Sequence, residues 1–365
     1  MASLGNLPED VMMEILKRLP SECVGRFRCV SKYWYALIND PEFADSLQHR
    51  SLLVKRTVIR NEESGEKQTM LSSLKFPLAS AAVVDMDLPL SEDFEYYVFS
   101  GYSHGLICLS DNLDNIFICN PATGELRHLP PSILLTKPPE DPFDRNGTSM
   151  NAVGFGYDQK SMDFKVVRVV EFYEEGRYPC LRTEVYDLGN DGWREIESRA
   201  CGFVVSEPSS FDMYHEGMYY WIAEEEGEGG SEIIQWFDMS EEVFGRIPLP
   251  QGFLNDIDKY ISMCVWKGRI VLLLYNPEFS ETTIEIWAMD NKNFNLWAKV
   301  FTIDPVSGIE MPLVFVSSVE LVMVDKEGHL ILYNLNTQRF LHLPLKGDSE
   351  QLAVTVFVKT LLSVN

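Results

Sequence analysis

The stretch Gly101-Tyr102-Ser103-His104-Gly105 carries the residue types of an activated serine. A G-x-S-x-G motif makes a nucleophile where a strand turns sharply into a helix and lifts the hydroxyl to the top of a sheet. Strand-like runs flank this one on both sides, Tyr96–Phe99 and Leu106–Leu109, and no helical period follows. Ser103 therefore reads as part of a hairpin whose turn uses Gly101 and Gly105, not as a nucleophile. Metal chemistry has as little support. His104, His128, His215, His329 and His342 are scattered, with neither H-x-x-x-H nor H-E-x-x-H spacing, the patterns that place two ligands on one helix face. The seven cysteines (Cys23, Cys29, Cys108, Cys119, Cys180, Cys201, Cys264) are odd in number and include no CxxC pair. That argues against zinc and thioredoxin-like chemistry, and most of them sit in apolar runs as small core residues. Gly154 to Asp158 (GFGYD) lacks the remainder of a dinucleotide fingerprint and reads as a turn. No catalytic residue, cofactor or metal is expected.

Charge narrows the partners instead. The formal net charge is −24, and residues 1–50 hold seven acidic and six basic side chains, leaving 48 acidic against 25 basic beyond them. Nucleic acid is disfavoured, because phosphate binding needs a basic surface. A basic protein is the favoured partner, since an acidic surface speeds its encounter, although the same charge also serves solubility. The densest acidic stretches, Glu171 to Arg177 and Ala223 to Glu232, fall between strand-like runs and are expected as loops. Glu174, Glu175, Glu224, Glu225, Glu226 and Glu228 are the candidate contacts there; solvated turns are the plainer reading. No run approaches the roughly 20 apolar residues of a membrane span, and Glu9 and Asp10 do not suit a signal peptide. The expected location is the cytoplasm, with the nucleus second, and no membrane partner. The sequon at Asn146-Gly147-Thr148 is then unused.

The elements behind these residues are of two kinds. The first fifty residues read as three short helices. Pro8 suits the first helical position, Glu9 and Asp10 sit favourably at the positive end of the helix dipole, and Pro20 stops the helix. Val11, Ile15, Leu16 and Leu19 form its apolar face. Ser21 is positioned to cap a second helix with Val24, Phe27 and Val30, and Cys29 beside them. Ser31 is positioned to cap a third with Trp34, Leu37 and Ile38. Below about 40 residues such a unit needs a staple or a partner. No zinc or disulfide spacing is present, so a protein partner is expected.

This segment resembles an F-box, the motif by which one subunit of a cullin-type ubiquitin ligase grips Skp1. The matching residues are Leu7-Pro8, Ile15-Leu16, Leu19-Pro20, Phe27, Cys29-Val30-Ser31-Lys32, Trp34, Leu37-Ile38 and Phe43, with no insertion. It departs from the pattern at Glu22-Cys23 and at Gly25, which costs about 1 kcal/mol against Ala inside a helix. The resemblance implies that Leu7, Pro8, Ile15, Leu16, Leu19, Pro20, Val24, Phe27, Cys29, Val30, Trp34 and Leu37 form the Skp1-binding set. It also implies indirect association with cullin-1 and a RING subunit, which supply the chemistry. A plain helical cap is the competing reading.

Beyond residue 50 the pattern turns to strands, and it repeats. IFICNPATGELRHLP (116–130), EVYDLGNDGWREIE (184–197), IIQWFDMSEEVFGRIPLP (233–250), IEIWAMDNKNFNLWAKV (284–300) and LILYNLNTQRFLHLPL (330–345) share one layout. Each has an apolar strand, a polar turn usually opened by Asn or Asp, and a second strand anchored by Leu126, Trp193, Phe244, Trp297 or Phe340. Aligning Asn120, Asp187, Asp238, Ala288 and Asn334 gives spacings of 67, 51, 50 and 46 residues, near the period of a four-stranded kelch-like blade. The long gap holds the proline-rich loop from Pro130 to Gly147. The upstream runs HGLICLS, FKVVRVVEF, GMYYWIAE, GRIVLLLY and SSVELVMVD supply further strands. Residues 352–364 are expected to pair with N-terminal strands, among the strand-like runs 52–59, 69–76 and 96–99, and close the ring. The expected fold is thus a small all-α domain at 1–48 and an all-β kelch-like propeller of about six blades at 49–365. A pair of β-sandwiches is the alternative.

NPATGE followed by LP, VGFGYD, FKVVRVV, EVYDLGNDGWREIE and FDMSEEVFGRIPLP resemble the F-box-associated, kelch-like domain of a plant F-box family. The S-locus F-box and S-locus-F-box-like proteins are the members it is most similar to. That implies a non-catalytic adaptor holding a target for ubiquitination, in that subfamily a basic secreted ribonuclease of self-incompatibility, in others an immune or signalling regulator. The different-class alternative is a hydrolase or lectin-like propeller with a helical cap.

Overall fold

The computed structural model describes residues 9–19, 27, 30–31, 33–34, 50–61, 66–86, 97–111, 114–135, 147–173, 179–204, 213–225, 231–250, 260–279, 281–290, 294, 296–348, 352–360 and 362–364. In the N-terminal segment one helix is described, α1 (Glu9–Arg18). The second and third expected helices lie mostly outside the described residues, which hold only isolated helical positions at Phe27 and Tyr33-Trp34.

The remainder is built of strands in six antiparallel sheets. The first contains β1 (Arg50–Asn61), β2 (Glu66–Lys75) and β3 (Val83–Met86). The second runs β4 (Val98–Ser103), β5 (Leu106–Ser110), β6 (Ile116–Asn120), β7 (Glu125–His128). The third is β8 (Gly147–Asp158), β9 (Asp163–Tyr173), β10 (Cys180–Asp187), β11 (Gly192–Ile196). In the fourth, β12 (Gly202–Val204) and β13 (Met213–His215) both pair with β14 (Met218–Glu225), followed by β15 (Glu232–Asp238) and β16 (Val243–Pro248). The fifth is β17 (Tyr260–Trp266), β18 (Arg269–Tyr275), β19 (Glu281–Met289), β20 (Trp297–Ser307). The sixth is β21 (Ile309–Phe315), β22 (Glu320–Asp325), β23 (His329–Asn334), β24 (Arg339–Lys346). Finally β25 (Ala353–Val358) pairs with β1, from Arg50↔Val358 to Lys55↔Ala353, and completes the first sheet in the order β25-β1-β2-β3.

This is a six-bladed propeller, and the sandwich alternative falls. Strands β25, β4, β8, β13, β17 and β21 lie innermost and touch their neighbours between blades. The ring is closed by a shared blade, in which the C-terminal strand β25 pairs with β1. Residues past β25 continue as a strap over the second blade: Asn120 Nδ2 donates to Thr360 O at 3.0 Å and Leu362 O at 2.8 Å, and Arg127 to Val364 O at 3.1 Å. The apolar side chains form clusters between neighbouring blades, the largest spanning the first, fourth, fifth and sixth.

Asx chemistry holds the outer hairpins as expected at several blades. Asn120 Oδ1 accepts Ala122 N–H at 2.8 Å, Asp238 Oδ1 accepts Ser240 N–H at 2.8 Å, and Asn334 Oδ1 accepts Asn336 N–H at 3.1 Å. The GFGYD segment is not a turn but the end of β8. Its glycines are there for close packing: a Cβ on Gly154 would meet the Trp221 ring at 2.6 Å, and one on Gly156 the Tyr214 ring at 2.3 Å.

Candidate functional site

The N-terminal segment divides its apolar residues into two sets. Leu16 is 2% exposed and is packed by Met13, Leu19, Phe27 and Trp34. Phe27 and Trp34 stack with ring centroids 5.3 Å apart. The Ser31 hydroxyl accepts the Trp34 N–H at 3.2 Å, the N-cap bond expected of it. The helix ends with Leu19 N–H on Leu16 O at 3.1 Å. Those contacts hold the segment together. Outward, Val11 and Ile15 are each 43% exposed, one turn apart on α1, and Val30 and Tyr33 are 63% and 48% exposed.

Of the expected Skp1-binding set, Leu16 is therefore buried, Leu19, Phe27 and Trp34 are half-buried, and Ile15 and Val30 are exposed. Leu7, Pro8, Pro20, Val24, Cys29 and Leu37 lie outside the described residues. Val11 and Tyr33 were missed as surface residues. The i, i+4 spacing of Val11 and Ile15 is the signal for the first; Tyr33 has none, because its neighbour Trp34 takes the inward position.

The acidic candidates are not loops where the structure describes them. Glu224 and Glu225 end strand β14, with Glu224 opposite Phe203 and Glu232, so the expectation of a loop starting at Ala223 is corrected. The strand runs on because Ala223 is buried and β12 and β15 both pair to Glu224. Glu225 is paired with Arg246, which removes it from the set of free carboxylates. Burial and the nearby Glu224 carboxylate push Glu232 above the usual carboxylate range. Glu174, Glu175, Glu226 and Glu228 lie outside the described residues.

Ser103 is no nucleophile site. It is buried, closes β4, and its hydroxyl meets His104 Nδ1 at 2.8 Å. His104 and Gly105 make the turn with φ of 52° and 85°, the mirror-image geometry that suits a two-residue hairpin. Gly101 lies within β4 at a register shift, not in the turn. Among the described residues, Asp325, Glu327 and His329 bring carboxylate and imidazole atoms within 4.8 Å of one another. The Asp325 carboxylate is engaged in shaping that turn: it accepts Glu327 N–H at 3.0 Å, His329 N–H at 2.8 Å and lies 3.2 Å from His329 Nδ1.

The motifs that carry the propeller resemblance converge between the third and fourth blades. Lys165 of FKVVRVV reaches Asp158 of VGFGYD at 2.7 Å, Glu242 of FDMSEE at 2.7 Å and Met239 O at 2.9 Å. Arg194 of the DGWRE turn joins Glu242 at 2.7 Å and Asp187 at 3.2 Å. Ser240 and Ser161 donate to Asp158 as well. Asp158 and Lys165 are almost fully buried. Burial opposes ionisation of Asp158, but hydrogen bonds from Lys165, Ser240, Ser161 and the Lys160 N–H outweigh it and hold the carboxyl well below its usual range. Burial likewise opposes the Lys165 charge, and the two carboxylates overcome it and raise its pKa. These residues clamp two blades. A clamp is what a recurrent motif in a propeller core should be, and it offers no reactive group to solvent.

A helical segment with exposed apolar side chains thus precedes a closed six-bladed propeller. A family profile described as "F-box associated beta propeller domain" matches residues 85–364, and one described as "F-box domain" matches residues 4–45. The chain belongs to the F-box proteins that carry this propeller domain. F-box protein CPR1 of Arabidopsis thaliana is 26% identical over 98% of this chain and 89% of its own length. F-box/kelch-repeat protein At3g23880 of the same plant is 29% identical over 100% and 98%. Among solved structures, an oligogalacturonate lyase in complex with manganese aligns over 80% of this chain and 77% of its own with a TM-score of 0.41 at 9% identity, too loose a likeness to argue from.

Proposed function

We propose that the chain is the substrate-recognition adaptor of a Skp1-cullin-F-box ubiquitin ligase, divided at residues 48 and 49 into a Skp1-binding segment and a target-binding propeller. Cullin-1 and the RING subunit join through Skp1, and the chain acts by raising the local concentration of target lysines rather than by chemistry of its own. The observation that carries this reading is the exposed apolar set Val11, Ile15, Val30 and Tyr33 among the described residues, beside the buried Leu16 cluster. Exposed apolar side chains grouped in this way mark a surface suited to docking a partner.

The propeller's acidity suits a basic target, for which a secreted S-ribonuclease is the sharper candidate by the resemblance to S-locus F-box proteins. The adaptor would then work in the cytoplasm, with the nucleus as a second location. Co-expression with a Skp1-type protein tests the first part. The wild type should purify as a stoichiometric complex and Ile15→Asp should not, with the propeller still folded. Stoichiometric capture of Ile15→Asp would refute the interface. Salt-sensitive binding of a basic S-ribonuclease by the wild-type complex tests the second part, and its absence would leave a different target class.

A further inference from the structure

The exposed apolar side chains of the propeller are unevenly placed. Phe294, Leu296, Val300 and Phe301 lie at or on the outermost strand of the fifth blade, and Phe340 and Leu341 on the outermost strand of the sixth. Between these two strands runs a cleft of about 530 Å³. One wall is Asp304 to Ser307 of β20, the other Phe340 and His342 of β24, and the floor is Ile309, Ile331 and Tyr333. Asp325 and Glu327 close one end. Three carboxylates thus line the cleft, and its described lining residues include no lysine or arginine.

Asp325 is engaged by its own turn and by His329; the other two are more open. Asp304 and Glu327 are exposed and form no ion pair among the described residues, Asp304 receiving only a long 3.5 Å contact from Gln338. Burial and the Asp304 charge raise the Tyr333 pKa, so its phenol stays protonated as a donor. Tyr333 and Phe340 lie with ring centroids 4.8 Å apart beside the acids. Carboxylates above an aromatic and aliphatic floor match one class of side chain: a long apolar stem that ends in a cation.

We propose that this cleft grips the target, and that its occupant is a cationic side chain, preferentially arginine, presented by an exposed segment of the target protein. The stem lies over Ile309, Ile331 and Tyr333, and the head group bonds one exposed carboxylate of the lining, Asp304 or Glu327. Arginine is preferred because a planar guanidinium both stacks on an aromatic ring and bonds a carboxylate through two N–H groups. The proposal rests on the adaptor reading and moves the acidic target contact from the strand-bound Glu224 and Glu225 to a different blade pair.

The test uses the full chain in complex with a Skp1-type protein. Its probes are three degenerate pentapeptide pools with arginine, lysine or citrulline fixed at the centre. Citrulline keeps the shape of arginine and lacks its charge. Binding is read by fluorescence anisotropy in the presence of a chelator, at low and physiological salt. The arginine pool should bind at least tenfold more tightly than the citrulline pool, lose that margin in Asp304→Asn/Glu327→Gln, and weaken with salt. Equal binding of arginine and citrulline pools, no binding of any pool, or an unaltered margin in the double variant would each overturn the proposal. Both substituted residues are exposed, so an unchanged melting temperature reports that the variant is folded. Copurification of that variant with the Skp1-type protein is scored separately: loss of copurification in the wild type itself sinks the adaptor reading, whatever the peptides do.

Discussion

Removing the Lys165 ammonium is the sharpest perturbation of the inter-blade clamp. In Lys165→Met the stem is kept and the charge is lost, so Asp158 and Glu242 face each other with no buried cation between them. Breaking a buried pair by deleting one partner costs about 3–5 kcal/mol, because the survivor is left charged and desolvated. An unfolding entropy of about 2.1 cal/mol/K per residue over roughly 300 propeller residues is about 0.63 kcal/mol/K, so a loss of about 4 kcal/mol lowers Tm by about 6 °C. The pH dependence gives the sign. Asp158 and Glu242 have depressed pKa values, so their stabilisation is present above the ordinary carboxylate range and is lost as pH falls through their folded-state values. The raised Lys165 pKa contributes stability below 10.5 that is lost only as pH rises through its folded value. Differential scanning calorimetry of the full chain with a Skp1-type protein should show the gap between wild type and Lys165→Met widest near neutrality and narrowing as pH falls. The narrowing begins above the ordinary carboxylate range, because the orphaned acids are desolvated and take up protons early. Adding Asp158→Asn to Lys165→Met should cost at least about 1 kcal/mol less than the two single changes summed. A Lys165→Met shift under about 1 °C, or strict additivity in the double variant, would refute the clamp.

Ile15→Asp should weaken binding to a Skp1-type protein by more than tenfold in a pull-down titration while leaving the propeller's Tm unchanged, since Ile15 is outside the Leu16 core. Asn120→Ala should lower Tm by the loss of about 1–3 kcal/mol, because it frees two buried strap carbonyls and a turn N–H. Asn334→Ala, which shapes only a surface turn, should cost under about 1 kcal/mol in the same assay. Gly105→Val should be far more damaging than Gly217→Ala. Both have φ near +85°, but a Cβ at position 105 would meet Thr360 at 2.4 Å, whereas position 217 has open space.

What the sequence made legible was whatever is local along the chain. Ser31 could be read as a cap because its partner, the Trp34 N–H, is three residues away. The third and fourth strands of the second, fourth and sixth blades could be read because an Asx turn sits between them, and the closing strand because residues 353–358 are apolar and β-branched. The innermost strands were harder: β13 has three residues, and β8 hides its packing role in two glycines that carry no hydrophobic signal. A local mark for them does exist. His104-Gly105, Glu216-Gly217 and Lys267-Gly268 all have positive φ and each joins an inner strand to the next, so a residue-glycine pair ahead of an apolar run places the strand before it.

Lys165 and Arg168 show where local reading fails. In FKVVRVV both look like ordinary exposed charges, yet Lys165 is 5% exposed and Arg168 is fully buried; three apart, they point to opposite faces of the strand. Their partners Asp158, Glu242, Glu184 and Asp114 come from separate strands and turns, and Glu242 is on the next blade. A single sequence cannot pair charges across that distance, so buried clamp and solvated surface look alike until the blades are stacked. The same holds in reverse for the blade-five and blade-six cleft. Asp304, Asp325 and Glu327 sit in unremarkable strand and turn positions, while the conspicuous acidic run at Ala223 begins inside a paired strand. Charge density along the chain therefore locates solvated carboxylates poorly in a propeller. Unpaired charge beside exposed aromatic surface, which only the stacking of blades creates, is the better guide to where a partner is held.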